Sequence, residues 1–212
     1  MEKPKAIIFD LDGTLIDSKR AYYILFQEVL KENRIKFSKR KLWKELNGQR
    51  AEEVFLKVLK GIEKSEVEKL CNQLREKEVK KGIKLVKPIK NAKKVVNFFR
   101  KRMKVYLLTN SDGKFVTLIL KKFGLKFNGI FSREDFKDKS EVIKKIADSL
   151  GVTTEEILYV GDTVRDIKVA RKAKCKVAII PNWSPKYLVK KEKPDFLLDS
   201  ILQLKALFTQ ES

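Results

Sequence analysis

The sequence predicts an α/β fold in which helices cover both faces of a parallel sheet. Two observations support this prediction. Through the second half of the chain, short apolar runs alternate with segments that have helical spacing of apolar residues. Glycines end two of these segments, Gly124 and Gly151. Strands that alternate with helices form right-handed crossover units, so their carboxyl ends should meet at one edge of the sheet.

The expected elements follow in order along the chain. A capping-box pattern, Thr153 to Glu156, precedes one of the expected strands. Strands are expected at 5–9, 104–108, from 130, 157–160, 176–180 and 196–198, and helices at 91–101, 115–123, 140–150 and 166–173.

Residues 18–84 have a different character, with apolar residues at helical spacing and interruptions at Asn47-Gly48 and Gly61. Residues 82–88 resemble a return linker, because a glycine and a proline bracket them. We therefore expect an α/β core of residues 1–17 and 85–212, with a helical domain of residues 18–84 inserted after the first strand.

Composition excludes several function classes. The 212 residues contain no histidine, which excludes Ser-His-Asp catalysis and histidine-ligated zinc. The two cysteines, Cys71 and Cys175, suggest neither a disulfide framework nor a zinc site, so a reducing cytoplasm is expected. No apolar stretch approaches the roughly 20 residues that span a bilayer, so no membrane partner is expected.

The net charge of +21 arises from 49 basic and 28 acidic residues. Such a charge attracts phosphorylated metabolites or polyanions. The excess is spread over the whole chain, as in proteins from thermophiles, and no recognition motif for nucleic acid is present. Binding to nucleic acid is therefore a disfavoured alternative.

Two aspartates, Asp10 and Asp12, follow the first expected strand and precede Gly13 and Thr14. In an extended segment, residues two apart point the same way, so both carboxylates can face one site. Such a pair suits a divalent cation, or a nucleophile beside a general acid. A calcium loop is rejected, because Ala21 stands where its last ligand would be a glutamate.

Further polar residues follow other expected strands. Asp162 and Asp166 lie after the strand at 157–160, where Asp is also a good helix-capping residue without any function. Thr109 and Asn110 follow the strand at 104–108, and a lysine precedes the helix near residue 140. Each of these signals is weak alone, and their order along the chain strengthens them.

Together these segments resemble the four ordered motifs of the haloacid dehalogenase superfamily of phosphohydrolases. The segments are Phe9-Asp10-Leu11-Asp12-Gly13-Thr14-Leu15, Leu107-Leu108-Thr109-Asn110, a lysine, and Gly161-Asp162 with Asp166. The resemblance implies a Rossmann-like three-layer α/β/α core, and the helical insert resembles the type 1 cap of phosphoglycolate phosphatase-like members.

The resemblance also implies roles. Asp10 would be the nucleophile that forms an aspartyl-phosphate, and Asp12 the acid and then the base. Thr109 and Asn110 would bind the phosphoryl group. The metal site would hold Mg²⁺ through Asp10, Asp12 (including its backbone carbonyl) and Asp162, with Asp166 in support.

The motif lysine is either Lys137 or Lys139. The superfamily often has Lys-Pro-x-Pro-Glu before this helix, and the segment 137–141 keeps the Lys-to-Glu spacing without the prolines. This spacing favours Lys137 as the residue that neutralises the phosphoryl group and the nucleophile. Within the cap, Arg50 is the expected substrate-specificity residue, with Tyr22 and Tyr23 as further candidates.

The expected function is Mg²⁺-dependent hydrolysis of a small phosphorylated metabolite by a monomer or homodimer. Phosphoglycolate is the leading candidate substrate. A phosphosugar mutase of the same superfamily is the main alternative, and a nucleic-acid-binding protein with vestigial acidic motifs is the second.

Overall fold

In the computed structural model, which describes residues 3–208, the predicted α/β architecture is confirmed. Six parallel strands form one sheet in the order β5-β4-β1-β6-β7-β8. The strands are β1 (Ala6–Phe9), β4 (Lys104–Leu108), β5 (Gly129–Phe131), β6 (Ile157–Gly161), β7 (Lys176–Ile179) and β8 (Phe196–Leu197).

Helices cover both faces of this sheet. One apolar cluster joins Ile7 and Phe9 of β1 to α6, α7 and α11, and the opposite cluster joins Ile8 to α8, α9 and α10. Alternate residues of a strand point to opposite faces, so β1 contributes to both clusters. These helices are α6 (Ala92–Arg100), α7 (Gly113–Phe123), α8 (Lys139–Leu150), α9 (Val164–Ala173), α10 (Lys186–Lys191) and α11 (Gln203–Ala206).

Four helices between β1 and α6 enclose a separate apolar cluster that includes Phe26, Phe55 and Leu70. They are α1 (Lys19–Glu32), α2 (Lys39–Glu45), α3 (Ala51–Val58) and α4 (Lys64–Lys77). This separate cluster supports a distinct cap, whose boundaries at residues 18 and 84 stay a prediction.

The chain enters and leaves this helical unit through two short antiparallel strands. They are β2 (Ile16–Asp17) and β3 (Lys87–Pro88), in which Asp17 pairs with Lys87. A π-helical turn (Glu78–Gly82) and a short α5 (Ile83–Leu85) occupy part of the expected return linker. The predicted capping box is present at Thr153 and Glu156, in a 3-10 turn before β6.

The carboxyl ends of β1, β4 and β6 adjoin one another, because β1 pairs with both neighbours in register. The loops that follow these strands therefore share one edge of the sheet. Within residues 3–208, no helix combines the length and the apolar composition that crossing a membrane requires.

Glu78 begins the π-helical turn, and its carboxyl group is 6% exposed. Burial raises the pKa of Glu78 from 4.5 to about 8; Asp12 and Asp112 add to this shift, and Arg133 and Arg75 oppose it. The folded protein therefore holds this proton more tightly than the unfolded chain does. Glu78 should lower the free energy of unfolding progressively as the pH rises from 4.5 to 8.

We expect Glu78→Gln to raise the free energy of unfolding at pH 8 by on the order of 2 kcal/mol, because the amide carries no charge to desolvate. Near pH 5 the gain should almost vanish. Urea unfolding at the two pH values measures this, with Glu76→Gln on the exposed face of α4 as the control. An equal change at both pH values would contradict the assignment.

Candidate active site

The loop after β1 carries the first two predicted site residues. Asp10 and Asp12 are 7% and 8% exposed, and the backbone N–H of Asp10 donates to the Val160 carbonyl of β6 at 2.8 Å. Gly13 follows in the left-handed region with φ +80°. A Cβ there would collide with the Asp162 carboxylate and lie 2.8 Å from Trp183 Cδ1, so the loop requires glycine on both counts.

Lys139 makes the closest cationic contact with Asp10. Its Nζ donates to Asp10 Oδ1 at 2.6 Å and to the Tyr159 hydroxyl at 2.9 Å, and lies 4.0 Å from Asp166 Oδ1. Lys139 is 7% exposed, whereas Lys137 is exposed to solvent. The preference for Lys137 is therefore corrected to Lys139.

The start of α8 explains this correction. Asp138 is the N-cap residue, and its side chain accepts a hydrogen bond from the backbone N–H of Ser140. Lys139 is thus the first residue of the helix, and its side chain reaches Asp10 at the end of β1. The Asp138 capping signal was present in the sequence and would have placed the helix start correctly.

Burial disfavours the ionised form of Asp10. Burial raises the pKa of Asp10 from 3.8 to about 7; Lys139 opposes this shift, and the neighbouring carboxylates of Asp166 and Asp12 add to it. Ionisation of Asp10 thus depends on cations held close to it.

Hydroxyl groups surround the carboxylate of Asp12. Ser18 donates to Oδ1 at 2.6 Å, while Ser111 and Thr109 donate to Oδ2, Thr109 at 3.5 Å. Burial raises the pKa of Asp12, although the hydrogen bonds from Ser111 and Ser18 oppose that rise. Asp12 is therefore held rigidly, in an environment that favours a carboxyl group able to donate a proton.

Asp162 and Asp166 follow β6, as predicted, and are 1% and 5% exposed. Asp166 Oδ2 accepts from the backbone N–H groups of Asp162 and Thr163 and from the Thr163 hydroxyl, and its Oδ1 accepts from Tyr159. Asp166 thus completes the capping box of α9, whose N-cap residue is Thr163, and both of its oxygens are engaged. Capping of this helix was the structural alternative for Asp166, and its role beside a metal ion stays a prediction.

Asp162 presents one free oxygen. Its Oδ2 accepts from the backbone N–H of Trp183 at 2.7 Å, whereas its Oδ1 is buried and has no hydrogen-bond partner within the described part of the chain. Burial raises the pKa of Asp162 well above its usual range, and Asp166 and Asp10 raise it further. An unpartnered buried carboxylate oxygen is a position that a cation would satisfy.

Two of the four aspartates, Asp10 and Asp162, can supply side-chain oxygens to a Mg²⁺ ion. Within the described chain, no three acidic, cysteine or histidine side chains are grouped so that they could hold a metal ion. The Asp12 and Asp166 carboxylates are already hydrogen-bonded, which leaves Asp10 and Asp162 as side-chain ligands. Mg²⁺ commonly binds through one or two carboxylates and completes its shell with carbonyl, water and substrate oxygens, so this donor set is sufficient.

The predicted phosphate-binding residues lie at the same edge of the sheet. Thr109 is 1% exposed, and its Oγ1 also accepts from the backbone N–H of Ser111 at 3.1 Å. The side-chain amide of Asn110 donates to the Gly48 carbonyl of the cap at 2.9 Å. Thr109 therefore lies beside Asp12, and Asn110 connects the core to the cap.

A cavity lies between the cap and these residues. Asp10, Asp12 and Thr109 line it on the core side. Ser111, which follows Asn110 in the chain, lines it as well. The sequence analysis assigned no site role to a further set of lining residues, which tertiary packing brings together: Leu74, Arg75, Glu78, Arg133 and Trp183.

The three cap residues expected to contact substrate, Arg50, Tyr22 and Tyr23, lie in different places. Tyr22 lines the cavity, and its hydroxyl lies 3.0 Å from Ser111 Oγ. Tyr23 instead packs edge-on against Trp43. The Arg50 guanidinium donates to the carbonyls of Phe136 and Arg133, and Arg50 is not among the residues that line this cavity. In the structure Arg50 connects the cap to the core. Its contact with substrate stays a prediction.

Comparison with known proteins finds hydrolases and phosphatases. The sequence profile of the haloacid dehalogenase-like hydrolases matches residues 7–180. The chain is 27% identical over 216 aligned positions to a phosphoserine phosphatase from Methanocaldococcus jannaschii, covering 93% of each chain. It is 26% identical over 206 positions to the pyrophosphatase PpaX from Oceanobacillus iheyensis, again covering 93% of each.

Solved structures share the fold. A haloacid dehalogenase-like hydrolase from Streptococcus pneumoniae superposes with a TM-score of 0.86 at 22% identity, covering 99% of this chain and 100% of that chain. A hydrolase from Pseudomonas syringae superposes with a TM-score of 0.83 at 19% identity, covering 98% of this chain and 99% of that chain.

The matched segment runs from β1 to the residue after β7 and contains Asp10, Asp12, Lys139 and Asp162. The predicted enzyme class, a phosphatase of this superfamily, is confirmed by the family match and by the phosphatase names of the curated relatives. The chain belongs to the haloacid dehalogenase-like hydrolase family.

Proposed function

We propose that the protein hydrolyses the phosphomonoester of a small metabolite through an aspartyl-phosphate on Asp10, with Mg²⁺ as cofactor. The observation that carries the proposal is the 2.6 Å contact between Lys139 Nζ and Asp10 Oδ1 in a buried site. A carboxylate at the end of a strand, paired with an ammonium group and facing a cavity, is suited to act as a nucleophile on an anionic substrate.

In the first half of the reaction, a carboxylate oxygen of Asp10 attacks phosphorus and the bond from phosphorus to the leaving oxygen breaks. Asp12 donates its proton to that oxygen, so the leaving group departs as an alcohol. The raised pKa of Asp12 supports this role, because an ordinary aspartate is almost fully ionised near neutral pH.

In the second half, Asp12 accepts a proton from a water molecule, whose oxygen attacks phosphorus. The bond between phosphorus and Asp10 breaks, inorganic phosphate leaves, and both carboxyl groups return to their initial state. The hydrogen bonds from Ser18 and Ser111 keep Asp12 in one orientation for both proton transfers.

Two groups would stabilise the phosphoryl charge. Lys139 places its ammonium group beside the attacking oxygen, and Thr109 Oγ1 lies next to Asp12. Preorganised donors of this kind contribute to phosphoryl transfer mainly through electrostatic stabilisation.

Mg²⁺ would be held by the side chains of Asp10 and Asp162 and by the backbone carbonyl of Asp12. When bound, it neutralises charge on the phosphoryl oxygens and orients them for in-line attack. The unpartnered Oδ1 of Asp162 supports this assignment. Asp166 supports it as well, because its Oδ2 accepts a hydrogen bond from the backbone N–H of Asp162 at 3.2 Å and so holds that residue in place.

Phosphoglycolate is our leading candidate substrate. Arg75 and Arg133 line the cavity, and both pair with Glu52. Guanidinium groups bind carboxylates with favourable geometry, so a leaving group that bears a carboxylate would compete with Glu52 for these two residues. The names of the curated relatives make phosphoserine and pyrophosphate the comparison substrates.

Contacts between cap and core support closure of residues 18–84 over the site during turnover. Arg165 of α9 pairs with Glu53 of α3 at 2.9 and 3.1 Å, and Arg133 pairs with Glu52 at 3.1 Å. These pairs hold the first turn of α3 against the core. Closure of this kind excludes water and selects the leaving group.

The proposal is tested by the release of inorganic phosphate from phosphoglycolate, phosphoserine, pyrophosphate and phosphosugars, each with Mg²⁺ and with EDTA. We expect release only with Mg²⁺, and highest kcat/KM for phosphoglycolate. Release that persists in EDTA would contradict the metal requirement. Release that requires a sugar bisphosphate would instead favour the mutase.

We expect Asp10→Asn to reduce turnover below detection while the fold is retained, because an amide cannot form the acyl phosphate. Phosphate release and far-UV circular dichroism measure the two effects. Asp17→Asn, on the exposed side of β2, is the matched control and should keep full activity. Near-normal turnover by Asp10→Asn would remove Asp10 from the nucleophile role.

We expect Lys139→Met to lower kcat/KM by about 100-fold or more, because it removes the ammonium group beside Asp10 and leaves a similar volume. Lys137→Met is the matched control, two residues away and exposed to solvent, and its loss should be less than about twofold. Steady-state kinetics compare the two variants. Equal small losses would show that neither lysine serves the reaction.

A further inference from the structure

Trp183 lies in the loop between β7 and α10 and is 7% exposed. Its backbone N–H donates to Asp162 Oδ2 at 2.7 Å, and its carbonyl accepts from Lys19 Nζ at 3.0 Å. The indole ring packs edge-on against Tyr22, with ring centroids 6.0 Å apart. Contacts with the core, the start of α1 and Tyr22 therefore fix the position of this ring.

Among the residues that the structure describes, none accepts a hydrogen bond from the indole N–H, although its nitrogen is buried. The ring lines the same cavity as Asp10 and Asp12. Cδ1, the ring atom bonded to Nε1, is close enough to Gly13 to exclude a side chain there. The unpartnered N–H thus belongs to the ring edge that lies beside the loop carrying both aspartates.

A buried donor without an acceptor destabilises a protein, and native structures rarely keep one without a reason. An acceptor supplied by a ligand would remove that penalty. The indole N–H carries no charge and cannot bind a cation, so its partner must be a lone-pair acceptor, which on a phosphorylated ligand is an oxygen. Donors to anionic oxygens form stronger hydrogen bonds than donors to neutral ones.

We propose that Trp183 binds substrate, its indole N–H donating a hydrogen bond to an anionic oxygen of the phosphorylated ligand. This inference rests on the proposed function, because it assumes that a phosphomonoester enters the cavity. The acceptor is an oxygen of the phosphoryl group or of the leaving group. Trp183 is then a substrate-binding residue rather than only part of the packing around Asp162.

The chain contains two tryptophans, Trp43 and Trp183, so an indole ¹H–¹⁵N spectrum has two signals that single Phe variants assign. Trp43 is 44% exposed and packs on Tyr23, which makes it an internal control. With Mg²⁺ present, inorganic phosphate is titrated into the wild-type protein, and phosphoglycolate and phosphoserine into Asp10→Asn.

We expect the Trp183 indole proton to move downfield while the Trp43 signal stays in place. A shift with inorganic phosphate assigns the acceptor to the phosphoryl group. A shift with a phosphomonoester alone assigns it to the leaving group. A Trp183 signal that none of these ligands moves would overturn the inference, whether or not the protein releases phosphate from any of them.

Kinetics and stability give a second test. Trp183→Phe keeps a ring against Tyr22 and removes the donor, so KM for the preferred substrate should rise about tenfold. The thermal midpoint should stay unchanged or rise, because the unpaired donor is gone. A purely structural role predicts a lower midpoint with unchanged KM, and that outcome would contradict substrate binding. Trp43→Phe is the control for both measurements.

Discussion

The burial of four carboxylates at one edge of the sheet is the constraint on which the site depends. Asp10, Asp12, Asp162 and Asp166 are each at most 8% exposed, and charged groups are expensive to remove from water unless partners compensate them. Different partners compensate each carboxylate. Asp10 receives an ammonium group, Asp12 receives hydroxyls, and Asp166 receives backbone and hydroxyl donors.

Within the described residues, Asp162 keeps one buried oxygen without a hydrogen-bond partner. The neighbouring indole N–H of Trp183 is likewise unpartnered among residues 3–208. Other buried polar atoms of the described residues also lack a partner, among them Asn47 Oδ1 and Arg75 Nε at the same cavity. An acceptor and a donor of the kind found at Asp162 and Trp183 are groups that a cation and an anion would satisfy together.

Much of this arrangement could be predicted from the sequence. The strands place Asp10, Thr109 and Asp162 after β1, β4 and β6, and pairing in register brings those three ends together. The lysine was misplaced by two residues, because motif spacing was used where helix capping by Asp138 decides which side chain points inward. The expected contact of Arg50 with substrate depended on the path of a cap loop, which local patterns do not determine.

The residues missed by sequence analysis share one property. Glu78, Arg133 and Trp183 belong to segments far apart in the chain, and they meet only because the cap folds over the core. Their relation to Asp10 depends on tertiary packing, so no periodicity or turn signal reveals it. Local sequence patterns thus predicted the aspartates that follow the strands, whereas they did not predict the residues that line the rest of the cavity.

The pairing of β2 with β3 allows the helical unit between them to change while the sheet is kept. The chain leaves the core at Asp17 and returns at Lys87, and these two residues are direct partners in the ladder. Insertions whose ends lie side by side place little strain on the host fold. The helical unit is therefore an exchangeable module, and its replacement would alter which molecules reach Asp10 without disturbing the sheet that positions this carboxylate.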